Sequence, residues 1–290
     1  MTRDLLPAGV RARLKGLMLS SRRAIGDHGL GLHASRSRGA GLEFAQYRAY
    51  ERGDELRQVD WKLYARSDRF FVREAERESP LCLWILVDAS ASMAQADGVR
   101  ADWSRLDAAK ALAMALVELA MAGGDRFALL TLSDTGLGMV PPGNGTRQRD
   151  RIRLALHDLA PGGGFPADGG LASIWERVGT RDLVVLLGDC FDPECADALV
   201  KLSAAGREVL TIQLLTVEER DFPFDGGHRF RDPETGEELL ADAPALRADF
   251  VARFSAARAA LHGQLEGGGV RHVEYILDEP LDSPLRALFG

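Results

Sequence analysis

One carboxylate and two hydroxyls stand at alternate positions directly after an apolar segment. Residues 81–87 carry no charge, which is typical of a strand buried on both faces, and Asp88, Ser90 and Ser92 follow it. The C-terminal edge of such strands is where open α/β sheets bind ligands. All three side chains are hard oxygen donors, which suit Mg²⁺ or Mn²⁺ better than zinc or copper. The spacing therefore predicts part of a cation site.

A second carboxylate, Asp189, also follows an apolar segment, residues 183–187. If the two strands are neighbours in a parallel sheet, Asp88 and Asp189 lie at the same edge. Asp189 alone is equally typical of a helix N-cap or an Asx-turn. Together with the Asp88 turn, it is better interpreted as a fourth member of the cation site.

Alternating strand and helix patterns predict an α/β fold with a doubly wound, mostly parallel sheet. A helical pattern at 8–25, strand patterns at 44–50 and 69–76, and a helical turn at 58–65 precede the sheet. The sheet strands are expected at 81–88, 126–132, 137–140, 183–187, 208–215 and 270–275, and its helices at 105–122, 147–159, 169–178, 192–205 and 244–265. The segment 218–241 is interpreted as a polar excursion without regular structure.

Net charge divides the chain near residue 80. The first 80 residues hold 16 basic and 11 acidic side chains, whereas the whole chain has a net charge of −7. We therefore expect a basic N-terminal extension over residues 1–79 and an acidic domain over residues 80–290. No nucleic-acid partner is expected, because aromatic residues are not interleaved with the basic ones.

The sequence lacks features of export or membrane insertion. No apolar stretch reaches the ~18 residues that a membrane span needs, and the start has no signal-peptide pattern. The three cysteines form neither a metal-type pair nor an even disulfide framework. We expect no membrane span and a location in the reducing cytoplasm.

Signals for catalysis are weak. A haloacid-dehalogenase-type phosphatase needs a second aspartate two residues after Asp88, and Ser90 stands there instead. Residues 162–164 lack the Lys-Ser/Thr that follows in a phosphate-binding loop, and no Gly-x-Ser-x-Gly elbow occurs. We expect a protein without enzymatic activity. The alternative is a Mg²⁺-dependent, phosphatase-like hydrolase.

Asp88, Ser90, Ser92 and Asp189 together resemble the metal-ion-dependent adhesion site of von Willebrand factor A domains. The resemblance implies a Rossmann-like sheet of that type. It also implies that the serines ligate the metal directly, that the aspartates act through water, and that a threonine from a glycine-rich loop completes the site.

The expected threonine is replaced in this chain. The matching loop is residues 162–164, and Phe165 follows where threonine is expected. An aromatic ring cannot ligate Mg²⁺, so the resemblance implies a degenerate site of weak affinity. Asp168 and Ser133 are the candidates to replace the missing ligand.

A longer set of spaced residues resembles a bacterial family, the domain of unknown function numbered fifty-eight. The matching residues lie within 41–78 and are Gly41, Glu43, Phe44, Arg48, Tyr50, Gly53, Asp54, Arg57, Val59, Asp60, Trp61, Ala65, Arg66, Val72, Arg73 and Glu74. The family joins this signature to a von Willebrand factor A-like domain, and the resemblance covers about residues 40–215 of this chain.

The family is typically encoded beside MoxR-type AAA+ ATPases. The resemblance therefore implies a chaperone-like adaptor that works with such an ATPase in the assembly or maturation of client proteins. The ATPase, its client, or both are the implied partners, and an acidic side chain of a partner would complete the metal coordination.

The signature segment combines both charge signs with aromatic rings. Such a set forms either a buried ion-pair network, which we favour, or an exposed recognition surface with aromatic anchors. The residues predicted to contact a partner in the second case are Asp54, Arg57, Asp60, Trp61, Arg66 and Arg73.

Overall fold

The computed structural model describes residues 5–19, 44–50, 59–75, 81–134, 136–167 and 177–290. These residues form two compact units, one lying within 29–80 and the other made of residues 5–19 and 81–290. The boundary predicted at residue 80 stays a prediction, and Val10 of the first helix lies in the core of the larger unit.

Strands and helices alternate along most of the described chain. The strands are β1 (Phe44–Ala49), β2 (Phe71–Ala75), β3 (Cys82–Asp88), β4 (Arg126–Leu132), β5 (Gly138–Gly143), β6 (Leu183–Gly188), β7 (Glu208–Leu215), β8 (Gly227–Arg231), β9 (Glu238–Asp242) and β10 (Arg271–Ile276). The α-helices are α1 (Ala8–Arg13), α2 (Trp61–Ser67), α3 (Arg105–Gly123), α4 (Gly145–Asp158), α5 (Pro193–Ala204), α6 (Val217–Asp221), α7 (Ala243–Gly267) and α8 (Ser283–Phe289).

The smaller unit contains an antiparallel pair, β1 with β2, and the helix α2 that precedes β2 in the chain. The Asp60 carboxylate caps α2 by accepting the backbone N–H groups of Lys62 and Leu63, at 2.9 and 3.1 Å. A short polar side chain at this position satisfies donors that have no partner inside the helix. The helix thus begins where Asp60 can cap it.

The larger unit is built on a sheet whose strand order, within the described residues, is β10-β7-β6-β3-β4-β5. Its neighbouring strands are parallel except for β5, which runs antiparallel to β4 at the edge. The chain moves outward from β3 through β4 to β5 and then returns to β6 on the other side of β3. This confirms the predicted doubly wound, mostly parallel sheet.

Two hydrophobic layers cover the sheet. Alternate residues of β3 point to opposite faces, so that Ile85 packs in the layer that contains α3, and Trp84 packs in the layer that contains α5. All residues of β3 are buried, as are most residues of α3. Because helices cover both faces of the sheet, a ligand can reach its central strands only at the ends of those strands.

Several segments differ from the sequence prediction. The helix predicted at 8–25 ends early, at Arg13, and Gly16 then takes a φ of 90° that a continuing right-handed helix does not allow. The excursion 218–241 contains the α6 turn and a hairpin of β8 with β9, and α8 was not predicted. The hairpin residues are all partly or fully exposed, so that their sequence carries little apolar periodicity. The helix predicted at 169–178 lies almost entirely outside the described residues.

Within the described part of the chain, none of the helices combines the length and the apolar character needed to cross a bilayer.

Candidate functional site

The candidate site lies where the direction of the chain across the sheet reverses, between β3 and β6. These two strands are parallel neighbours, with Val87 opposite Leu187, and both end at the same edge. Asp88 ends β3 and Asp189 follows β6, so that both lie at that edge, and the two residues are 2% and 3% exposed. A crevice at such a topological switch point is the usual ligand site of doubly wound sheets. The predicted convergence of the two aspartates is therefore observed.

The turn after β3 places two hydroxyls beside the first carboxylate. Asp88 Oδ1 accepts the backbone N–H of Ser90 at 2.8 Å, which folds the chain back toward the strand end. The Ser90 and Ser92 hydroxyl oxygens lie 3.0 Å apart and share a hydrogen bond. Both serines are buried, and Ser92 belongs to a short 3-10 turn, Ala91–Ala94. The alternate spacing of the three residues thus produces one cluster of oxygen atoms.

The approach of β6 to the Asp88 turn depends on a glycine. A Cβ atom at Gly188 would lie 2.8 Å from Asp88 Cβ and 3.1 Å from Asp88 Oδ2. Real Cβ atoms do not come this close to a neighbouring side chain, so that a larger residue would displace Asp88 or separate the strand ends.

Asp189 is held from three sides. Its Oδ1 accepts the backbone N–H of Phe191 at 3.2 Å, and its main-chain carbonyl accepts Gln213 Nε2 at 2.9 Å. Its Oδ2 accepts Arg105 Nη1 at 3.1 Å. Cys190 between them adopts a φ of 56°, which is rare for a residue other than glycine. One oxygen of Asp189 thus accepts a backbone N–H two residues ahead, as in an Asx-turn, and the other oxygen accepts Arg105.

A buried arginine, which the sequence analysis did not identify, connects the turn after β3 with the turn after β6. Arg105 is 2% exposed, and its Nη1 donates to the Ser92 carbonyl at 3.0 Å as well as to Asp189. Its Nη2 donates to Glu219, at the start of α6. Arg105 is the first residue of α3, and its guanidinium carbon lies 5.1 Å from the centre of the Phe191 ring. One fixed positive charge thus lies within the acidic cluster.

Burial and the neighbouring charge of Asp189 raise the pKa values of two carboxyl groups at this edge. The pKa of Asp88 rises from its ordinary value of 3.8 to about 7. The pKa of Glu234 is also raised, by burial first and by Asp189 second. Both shifts disfavour the charged form of these groups.

The glycine-rich loop lies across the same edge. The Gly162 N–H donates to the Ala89 carbonyl, the Ala91 N–H donates to the Gly163 carbonyl, and Ser133 Oγ donates to the Gly162 carbonyl. Ser133 is one of the two residues proposed to replace the missing threonine. Its hydroxyl group donates to the loop and so helps to fix it.

Phe165 follows this loop and does not face solvent. Its side chain is 8% exposed and belongs to the hydrophobic layer on the α5 side of the sheet. Asp168, the other candidate substitute ligand, lies outside the described residues. In the described part of the chain, no three His, Cys, Asp or Glu side chains are grouped so that they could hold a metal.

The residues predicted to contact a partner lie in the smaller unit or outside the described residues. Asp60 is buried and caps α2, as a structural role requires. Trp61 and Arg66 are exposed on the same helix, as a recognition surface requires. Of Arg73 only the backbone, within β2, is described. Asp54 and Arg57, the remaining candidates, lie outside the described residues.

An aromatic group lies beside the exposed face of α2. The Tyr64 and Phe70 rings stack with centroids 4.4 Å apart, and Trp61 meets Phe70 edge-on at 6.4 Å. Trp61 is 56% exposed and Phe70 is 44% exposed. The described part of the smaller unit thus combines a capping carboxylate with exposed aromatic rings.

The substitution Gly188→Ala tests the close approach of β6 to Asp88. We expect it to destabilise the protein by about 1–3 kcal/mol, because the new methyl group has no space beside Asp88. Gly263→Ala is the matched control, since nothing lies within 4 Å of its Cβ position in α7, and there alanine should stabilise by up to about 1 kcal/mol. Urea unfolding measures both. Equal stability of Gly188→Ala and wild type would contradict the packing described.

The raised pKa of Asp88 predicts how stability depends on pH without metal. Between pH 4 and 7 the folded state holds a proton on Asp88 that the unfolded state has released, so that this contribution is present at low pH and is lost as pH rises toward 7. Each unit of pKa shift corresponds to about 1.4 kcal/mol, and we expect a loss on the order of 1–4 kcal/mol. Urea unfolding in EDTA at several pH values should show this loss in wild type and not in Asp88→Asn. Parallel pH profiles of the two proteins would refute it.

Comparison with known proteins agrees with the signature. The family described as "Protein of unknown function DUF58" matches residues 46–260. The uncharacterized protein Rv1480 of Mycobacterium tuberculosis is 30% identical over 272 residues, which are 92% of this chain and 84% of that protein. The solved structure of BatB from Bacteroides thetaiotaomicron has a TM-score of 0.46 at 16% identity and covers 72% of this chain and 95% of its own. The SpRpn10 VWA domain has a TM-score of 0.42 at 16% identity and covers 71% of this chain and 94% of its own. The family match spans well over half of the sequence, and the chain therefore belongs to the DUF58 family.

Proposed function

We propose that this protein is a non-enzymatic interaction component that binds Mg²⁺ or Mn²⁺ at the β3–β6 switch point and recognises a partner protein there. The observation that carries the proposal is the pair of buried carboxylates, Asp88 and Asp189, beside the paired hydroxyls of Ser90 and Ser92. A buried charge without a counter-charge is costly, so that such a cluster requires a proton or a cation.

The residues present fit a hard divalent cation. The two serines would supply the hydroxyl ligands, and the two aspartates would balance the charge through bound water. The Arg105 guanidinium pairs with Asp189 and Glu219, and the charge of Asp189 in turn repels Asp88 and Glu234. A charge of +2 reduces the remaining excess, and oxygen donors are those that Mg²⁺ and Mn²⁺ prefer.

Phe165 makes the proposed site weak. Its buried ring occupies the position from which a threonine hydroxyl would be expected, so that the protein offers one ligand fewer. Fewer protein ligands leave more of the coordination to water or to an acidic group from another molecule. Such a cation, when bound, supplies an electrophilic position that a partner's carboxylate can occupy. We infer that cation and partner bind together more strongly than either binds alone.

The partner that the DUF58 signature suggests is a MoxR-type AAA+ ATPase or its client. The exposed Trp61 and Arg66 of α2 offer a second contact, since aromatic and arginine side chains are enriched among residues that dominate binding energy. An adaptor function fits the site better than hydrolysis does. The Ser90 and Ser92 hydroxyls bond to each other, whereas a nucleophilic serine needs a base that removes its proton.

Calorimetric titration tests the cation. We expect wild type to bind Mg²⁺ and Mn²⁺ with a Kd of about 10⁻⁴–10⁻³ M, the range of weak oxygen-ligand sites, and Asp88→Ala to lose this binding. Asp158→Asn is the matched control, because it removes a carboxylate that is 70% exposed at the end of α4. Absence of binding heat in wild type at millimolar metal would leave a metal-free interaction domain.

Capture of a purified MoxR-type AAA+ ATPase tests the partner. We expect the wild-type protein to retain the ATPase in Mg²⁺ and to release it in EDTA, because the cation mediates the contact. Asp88→Ala should fail to retain it, and Asp158→Asn should behave as wild type. A panel of phosphatase and ATPase substrates accompanies the experiment. Metal-dependent turnover that disappears in Asp88→Ala would overturn the adaptor proposal in favour of a hydrolase.

A further inference from the structure

We infer that His262 of α7 and His272 of β10 form a pH-sensitive contact, the imidazole latch, which holds α7 against the sheet near neutral pH and releases it when both rings are protonated. The latch needs neither a bound cation nor a partner. It is also linked to the candidate site, because His272 hydrogen-bonds to Gln213, and Gln213 hydrogen-bonds to the Asp189 carbonyl.

A chain of hydrogen bonds fixes where the imidazole protons lie at neutral pH. Gln213 Nε2 donates to the Asp189 carbonyl at 2.9 Å, and the amide oxygen of Gln213 can only accept. His272 Nε2 lies 3.1 Å from that oxygen and therefore carries a proton. The Nδ1 atom of a neutral His272 is then an acceptor, and His262 Nδ1, 3.0 Å away, must be the donor. Each neutral ring thus has a defined tautomer.

The latch has room for one additional proton but not for two. The first can bind to His262 Nε2, which lies 3.4 Å from the Glu266 carboxylate one helical turn further on. This proton leaves the contact between the two Nδ1 atoms intact. A second proton must bind to His272 Nδ1, and two N–H groups then face each other across 3.0 Å. Because two positively charged rings without an acceptor between them repel each other, the second proton breaks the contact.

The surroundings of His272 oppose its protonation. The residue is 8% exposed, and burial is the main reason why its pKa lies below the ordinary value of 6.5. The titratable and charged groups that act on it are His262, Arg258 and Glu266 of α7 and Glu274 of β10. On β7 it contacts the uncharged Gln213, and α8 packs in the layer on the other face of β10, with Tyr275. The stability that the latch contributes is therefore present above pH 6.5 and is lost as pH falls through the lowered pKa of His272.

The C-terminal half of α7 has few other attachments. Only two of the 25 residues of this helix are buried. Arg258 pairs with Glu274 of β10, and this hydrogen bond lowers the pKa of Glu274, which stays charged at pH 5. Gln264 donates to the Asp197 carboxylate of α5 at 3.0 Å. Of these groups, only imidazoles ordinarily change charge between pH 5 and 8. A helix with so little buried surface opens at low free-energy cost once the latch is broken.

Nitrogen-15 NMR of the histidine rings tests the proton positions in wild type. At pH 7.5 we expect His262 to carry its proton on Nδ1 and His272 to carry its proton on Nε2. As pH falls, His262 should gain a proton before His272 does. Protons on Nε2 of both rings at pH 7.5 would leave no hydrogen bond between the two Nδ1 atoms and would overturn the latch.

Hydrogen–deuterium exchange tests the release of α7. After correction for the intrinsic effect of pH, we expect protection of residues 258–266 to fall about tenfold between pH 7 and pH 5 in wild type, because each unit of pKa difference between the closed and open states is a factor of ten. Protection of β3 should not change. His262→Gln keeps an N–H donor but cannot acquire a charge, so that its α7 should stay protected at pH 5. His157→Gln is the matched control, since this histidine of α4 has a side chain that is 49% exposed, and it should behave as wild type.

Three results would contradict the latch. The first is equal protection of α7 at both pH values in wild type, and the second is a loss of protection in His262→Gln as large as that in wild type. The third is a parallel loss in β3, which would mean that acid unfolds the whole domain. All samples contain EDTA, so that these outcomes do not depend on the proposed cation, which its own titration tests.

Discussion

The burial of two like charges at the end of adjacent strands is the constraint on which the site depends. Parallel pairing of β3 with β6 fixes the backbones that carry Asp88 and Asp189, so that the two carboxylates cannot move apart without loss of sheet hydrogen bonds. The protein must therefore offset their repulsion locally. A proton on Asp88, the guanidinium of Arg105 and a bound cation are three ways to do so. The proton on Asp88 is lost near neutral pH. Of the two aspartates, the Arg105 guanidinium hydrogen-bonds only to Asp189.

The surrounding fold places Arg105 where this charge is needed. Ser104 begins α3 with a capping box to Asp107, and the next residue turns its side chain into the site. On the opposite side, Gln213 donates to the Asp189 carbonyl and hydrogen-bonds to His272, which contacts His262 of α7. The carboxylate cluster is thus tied to a helix on each face of the sheet. A change in the charge of this cluster therefore affects helices that also pack against the core.

Local pattern was sufficient to predict the carboxylates but not their partners. Apolar strands followed by polar turns marked Asp88 and Asp189, and the buried strands β4 and β7 have the predicted bounds. Arg105 was missed because its contacts to Asp189 and Glu219 span 84 and 114 residues, a separation at which no periodicity operates. The β8–β9 hairpin was missed for a different reason. Only His228 and Phe230 of β8 and Ala241 of β9 are partly buried, so that the alternation is too short to mark two strands.

Phe165 explains why the proposed site would depend on a partner. A cation held by a complete set of protein ligands would bind whether or not a partner is present. Phe165 packs in the core and offers no ligand, so the proposed cation would take an acidic group of the partner instead. Cation and partner would then each improve the binding of the other by the same factor, because the coupling free energy between two ligands is reciprocal.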